Sequence, residues 1–243
     1  MRRVERVKLR TEIIDALHAY QADVNSQRQD EGFSAQNYWK NRRDSQALSE
    51  VLATLKRMAG VDEACMYCTC SEAGDIEHFW PKSDYVERMF QWENLLLCCG
   101  ICGRMKLDKF PLADGQPLLI DPSGEDPWNF LDFQPRTGNI VARTDPSSGE
   151  ESPKGKATVE ILQLNRRQRV ANLYKKASGH IAEIVERILA EGFEERHIQE
   201  LRNADGHGLL GWCFCGAGQG DLPYSTLRES DPTAWNVCQQ AFC

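Results

Sequence analysis

Four cysteines, Cys65, Cys68, Cys99 and Cys102, form two C-x-x-C pairs, and between the pairs lie Glu77-His78 and, sixteen residues past the histidine, Asn94. One C-x-x-C pair holds one edge of a tetrahedral zinc ion, and a second pair brought back by the fold completes a four-sulfur set. Four sulfurs leave no open position, so this zinc would staple the chain rather than catalyse. A lone cysteine is more often a plain buried thiol; two pairs in one short segment make zinc the stronger reading.

Residues 75–82, Asp-Ile-Glu-His-Phe-Trp-Pro-Lys, carry a different chemistry. Polar and apolar positions alternate as in a short strand, which sets Asp75 and Glu77 on one face and Ile76 and His78 on the other, with Pro81 ending the strand. An acid–histidine pair is thus bracketed by two zinc knuckles.

Glu77-His78, then Asn94 within Trp-Glu-Asn-Leu-Leu-Leu, then Cys99-x-x-Cys102 and Lys106, resembles the HNH endonuclease motif in its zinc-stapled variety. More narrowly, IEHFWPKS, FQWENLLL and KLDKFP resemble the PtuB-like HNH proteins of Septu antiphage systems and of some retron defence cassettes. The likeness continues more weakly through Leu119-Ile120-Asp121-Pro122 and the Ile161 to Arg167 segment. It implies an α+β protein with a zinc-stapled ββα-metal (HNH) nuclease core flanked by helices, hydrolysing phosphodiester bonds with one divalent cation.

In that implied site His78 is the general base, a role suited to an imidazole that is neutral near physiological pH. Glu77 is a ligand of Mg²⁺ or Mn²⁺, whose hardness matches a carboxylate oxygen. Asn94 holds the hairpin loop and so aims His78. The resemblance also implies a nucleic-acid substrate, DNA by default with RNA or transfer RNA as the alternative, and an ATPase partner subunit (PtuA-like). In the retron branch a reverse transcriptase and its nucleic acid join them.

One position departs from the pattern. After the second knuckle the family usually has Asn or His as the other metal ligand; here that residue is Gly103. Asp75, on the face shared with Glu77, and Asp108 are the nearest substitutes, and a catalytically silent zinc scaffold that binds nucleic acid or a partner is the alternative function. Lys82, Arg104, Lys106 and Lys109 flank the motif, and four basic residues around one site point to phosphate contacts. The remaining histidines, His18, His180, His197 and His207, have no such company and receive no role.

These residues need a frame. The chain has 243 residues, 41% of them hydrophobic and 27% charged, as in an ordinary soluble domain. Ten cysteines are too few for a secreted disulfide scaffold, and their knuckle pairing points to a reducing, cytoplasmic setting. The first twenty residues lack the apolar core of a signal peptide, and no apolar run reaches membrane length. Net charge is −7, which opposes unaided nucleic-acid binding; yet five of the first ten residues are basic, and residues 154–176 hold seven basic side chains against Glu160 alone.

The expected organisation is an N-terminal helical segment (1–60), the nuclease core (61–142), a linker (143–156) and a C-terminal helical region with a Gly/Cys-rich tail (157–243). Ile13, Ile14 and Leu17 mark one helix; Leu48, Val51, Leu52 and Leu55, behind a cap at Asp44, mark another ending at Gly60. Residues 118–120 read as a strand, 138–142 as a hairpin strand, and Trp128, Phe130 and Phe133 as hydrophobic cover for the nuclease unit. The stripe from Val170 to Ile188 predicts a helix of about twenty residues. Cys213, Cys215, Cys238 and Cys243 read as buried or free thiols rather than a second zinc site.

Overall fold

The computed structural model describes residues 1–70 and 73–243. They form two compact units: Arg3–Glu125, and Met1–Arg2 with Asp126–Cys243. Among the described residues the fold is α+β, mostly helical with three two-stranded antiparallel sheets.

The first unit opens with helix α1 (Thr11–Gln27), which buries Ile13, Leu17 and Val24. Helix α2 (Ala35–Arg42) starts at Ser34, whose side chain accepts from Asn37 N. Only a weak apolar pattern marks α2 in the sequence. Helix α3 (Gln46–Ala59) has a strong stripe burying Leu48, Val51 and Leu55. Its cap is Ser45, accepting from Leu48 N, and not Asp44, which lies one residue too early. Gly60 stops α3 at φ +86°, a conformation costly for any residue with a Cβ.

Strand β1 (Asp75–His78) then pairs antiparallel with β2 (Leu95–Cys98), with Asp75 opposite Cys98 and His78 opposite Leu95. Every residue of β2 is buried, and α3 packs against it. Burying each of its three leucines is worth about 1.5–3 kcal/mol, so the apolar run fixes this hairpin firmly in the core. Helix α4 (Gly100–Lys106) follows directly. The expected strand at 118–120 is replaced by a small hairpin just before it, β3 (Leu112–Ala113) with β4 (Gln116–Pro117). Leu119 and Ile120 are fully buried but make no ladder; their apolar character reports burial alone.

The second unit pairs β5 (Leu131–Gln134) with β6 (Asn139–Ala142), against which helix α5 (Pro153–Leu162) packs. Ser152 caps α5 and Pro153 occupies its first turn. Helix α6 (Gln168–Glu191) runs 24 residues and buries the anticipated stripe, Val170 through Ile188. Helices α7 (Arg196–Ala204), α8 (Leu209–Phe214), α9 (Tyr224–Ser230) and α10 (Pro232–Phe242) complete the unit.

Two expectations are corrected here. Trp128 and Phe133 belong to the core of this second unit rather than covering the first: Trp128 Nε1 donates to Gly208 O at 2.6 Å, and Phe133 meets Tyr174 and Trp212. The tail cysteines do not all remain thiols. Cys215 and Cys243 form a disulfide, while Cys213 and Cys238 are buried and free; the helical fold of the Gly-rich tail returns the last residue to α8, which the C-x-C spacing does not reveal.

Candidate functional site

The sulfur cluster is built from the two flanks of the β1–β2 hairpin. Residues 65–70 form a tight knuckle, with Cys65 N donating to Cys70 O and Thr69 N to Cys65 O, and Met66 N donating across to Leu97 O of β2. Cys99 sits at the cap of α4 and Cys102 in its first turn. The Sγ atoms of Cys65, Cys68, Cys99 and Cys102 all lie within 4.8 Å of one another, and all four residues are buried.

The set fits zinc. A tetrahedron with metal–sulfur bonds of about 2.3 Å has edges of about 3.8 Å, and Cys68 Sγ is 3.8 Å from Cys99 Sγ. The thiols compete for protons: hydrogen bonding from Cys102 pulls Cys99 down to about 6 and, with Cys68, Cys98 and Cys99, holds Cys65 well below the ordinary thiol range. A shared cation would ionise them together. Cys98 stands outside the set, its Sγ donating to Cys99 O at 3.2 Å. Four buried cysteines could thus hold a metal ion such as zinc.

On the same hairpin, Glu77 and His78 lie in different surroundings. Glu77 Oε1 accepts from Lys106 Nζ at 2.9 Å, while its Oε2 faces α4 at Gly103, 3.6 Å from where a Cβ would stand. Its side chain is 18% exposed, and burial raises its pKa against the pull of Lys106. Asp75 is exposed; its Oδ2 would be 3.8 Å from a Cβ at Gly100. Asp75, Glu77, Gly103 and Arg104, with Trp39 and Arg43, line a cleft of about 630 Å³.

His78 is buried at 4% exposure. Its Nε2 lies 3.1 Å from Met89 O, and a carbonyl only accepts, so Nε2 carries the proton and Nδ1 keeps its lone pair. Burial, with Lys82 and Lys106 nearby, holds its pKa well below 6.5. The Trp39 ring stands edge-on to the imidazole at 4.3 Å. Trp39 belongs to α2, and no motif or spacing in the sequence connects it with His78.

Asn94 is buried and fully engaged. Its Oδ1 accepts from Trp80 N at 2.7 Å, and its Nδ2 donates to Trp80 O at 3.1 Å and Arg88 O at 2.9 Å. Phe79 N also donates to Asn94 O at 2.9 Å. The loop between β1 and β2 is therefore tied at both ends by one residue.

Of the four basic residues, Lys106 is not at the surface. Its side chain is fully enclosed, and its ammonium also donates to His78 O at 2.7 Å, so it braces the hairpin and is not placed to meet a phosphate outside. Lys82 is half-buried, with its pKa lowered by burial against the opposing pull of Glu77 and Asp108. Arg104 and Lys109 are exposed. Asp108, also exposed, accepts from Ser83 Oγ at 2.9 Å.

For a hard divalent cation the residues are sparse. Among the described residues, only the four cysteines bring three or more ligating groups together. Mg²⁺ is commonly held by one or two carboxylates, with water and substrate phosphate supplying the rest; Glu77 and Asp75 are the two carboxylates that line the cleft.

No family model matches the sequence. Over 136 residues, 53% of this chain, it is 30% identical to the Septu protein PtuB of Bacillus thuringiensis. The match takes in 48% of that relative, so the chain spans about half the relative's length. This similarity supports a Septu-related protein. Among the described residues no helix is long and apolar enough to cross a membrane.

Proposed function

We propose that the chain is an HNH-type endonuclease hydrolysing phosphodiester bonds, DNA in the first instance, as the effector of an antiphage defence complex with an ATPase partner. The observation that carries this reading is the tautomer set at His78. Met89 O fixes the proton on Nε2, and the depressed pKa keeps the ring neutral, so Nδ1 is free to take a proton from water. Asn94 holds the loop that supplies Met89, and Lys106 grips both Glu77 and the His78 carbonyl.

When bound, Mg²⁺ or Mn²⁺ would polarise the scissile phosphate and stabilise the leaving oxygen; Glu77 Oε2 and Asp75 would hold it. Lys82, Arg104 and Lys109 would steer the phosphate backbone. The similarity to a Septu protein and the motif order both support the defence assignment.

A second reading is favoured by Gly103 and by the Lys106–Glu77 pair, which together leave the carboxylate one partner short of a full metal site: a silent, zinc-stabilised binding module. Incubation with plasmid DNA and with total transfer RNA in Mg²⁺ or Mn²⁺, alone and with an ATPase encoded beside it, separates the two. Nicking of either substrate is expected; no cleavage of either under all conditions, with zinc present, selects the binding module.

A further inference from the structure

The second unit carries a surface that the site above does not use. At the β5–β6 turn, Gly138 lies so close to α6 that a Cβ there would stand 2.2 Å from Ala171 O and 2.8 Å from Lys175 Cγ. Its φ is +80°; only glycine takes both the conformation and the contact without strain. Asn165, in the connection between α5 and α6, donates to Ile140 O at 2.7 Å and accepts from Ile140 N at 2.9 Å. These two clamps bring the turn carrying Arg136 to the segment carrying Arg166, Arg167, Arg169, Lys175 and Lys176. Arg167 is half-buried and the other five are exposed.

No carboxylate occurs in residues 133–144 or 161–182, so the two segments that these contacts join carry these six cationic side chains and contribute no acid, in a chain of net charge −7. Helix stability does not explain them. The first turn of α6 holds no acid and its last turn no base, the reverse of what the helix dipole favours. A protein partner explains them poorly, because interface cores are built on aromatic and apolar side chains, and the large exposed hydrophobic residues, Val7, Val61, Leu107, Leu112, Leu222 and Val237, all lie outside these segments. Four arginines interspersed with Gln134, Thr137, Gln168 and Asn172 offer forked and neutral donors, the set that grips successive phosphates.

We infer that this surface binds the phosphate backbone of nucleic acid without regard to sequence. The inference extends the nuclease reading, giving the substrate a hold remote in sequence from Glu77 and His78, but it is read out by binding alone.

The test uses the full chain carrying His78→Ala, so that nothing is cut. Fluorescence anisotropy with duplex DNA and with single-stranded RNA is followed as salt rises. Arg166→Gln, Arg167→Gln and Arg169→Gln together are expected to weaken binding at least tenfold, and to flatten the logarithmic salt dependence by about two to three, near 0.9 per lost duplex contact. Arg202→Gln with Arg228→Gln, exposed positions elsewhere on the unit, should leave the slope unchanged. Melting temperature confirms that the triple variant is folded. An unaltered slope and affinity for both nucleic acids in that folded variant overturns the inference and turns the surface over to an acidic protein. Absence of cleavage in the wild-type chain would count against the nuclease reading and leave this result standing.

Discussion

The two ends of the β1–β2–α4 unit make an instructive pair. At the N-terminal end of α4, four sulfurs converge, all buried, at spacings that suit one tetrahedral ion. One turn further along the same helix, Gly103 offers Glu77 no side chain, and Lys106 supplies the positive charge instead. The sulfur end gathers four ligand atoms from the chain itself; the carboxylate end, as the cation site proposed above, would draw the rest of its ligands from solvent and substrate. On the proposed function, stability and reactivity are separated along the seven residues of α4.

The largest effect should come from breaking the complete end. Cys99→Ser, or chelation of the metal, removes an interaction that in small zinc modules amounts to about 10–16 kcal/mol, and should abolish cooperative unfolding of the first unit in calorimetry. A melting curve unchanged by both treatments would mean the sulfurs hold no structural ion.

Next in size is the brace between the ends. Lys106→Met leaves Glu77 Oε1 and the His78 carbonyl without their buried donor and should cost about 3 kcal/mol in denaturant titration. A cost within ordinary surface scatter would show that Lys106 is dispensable.

A side chain at position 103 would complete the incomplete end. Gly103 lies in helix, and among the described residues a Cβ there would meet Glu77 Oε2 alone within 4 Å, at 3.6 Å, so the first carbon of a side chain fits. Gly103→Asn should lower the Mn²⁺ concentration for half-maximal cleavage about tenfold, in line with changes of 10–100-fold for groups that support a metal ligand. No change, or a rise, would show that position 103 does not face the ion.

The smallest effect concerns α2, which holds Trp39 over His78. Asp23 of α1 is held below its ordinary 3.8, first by the Tyr38 hydroxyl and then by Gln27 and Arg42. A depressed carboxylate contributes stability that is fully present above the unfolded value and lost as pH falls through the folded one. Asp23→Asn should therefore flatten the decline of melting temperature below pH 3.8; parallel curves for the two proteins would remove Asp23 from the docking of α2.

How much of this was legible depended on whether the signal was local. The knuckle spacing and the alternation through His78 each report a neighbour within a few residues, and β1 and the cysteine cluster formed where they indicated. Lys106 read as a surface cation because lysine usually is one; only the folded hairpin shows Glu77 and a carbonyl waiting for it. Trp39 and Met89 reach His78 from other segments, and Cys215 finds Cys243 across α9 and α10, pairings that no residue type or spacing encodes. Ser45 replaced Asp44 as a cap because either side chain suits the role and helix geometry selects one.

Whether Glu77-His78 is a hydrolytic site carried on a sulfur staple is decided by His78→Ala assayed beside the wild type. Cleavage of plasmid DNA or transfer RNA, zinc content and cooperative melting would be measured on the same preparations. Zinc content and cooperative folding should be equal in both proteins, with cleavage lower in the variant by about 10²–10⁴-fold. Equal cleavage by the two proteins would contradict a hydrolytic role for the pair.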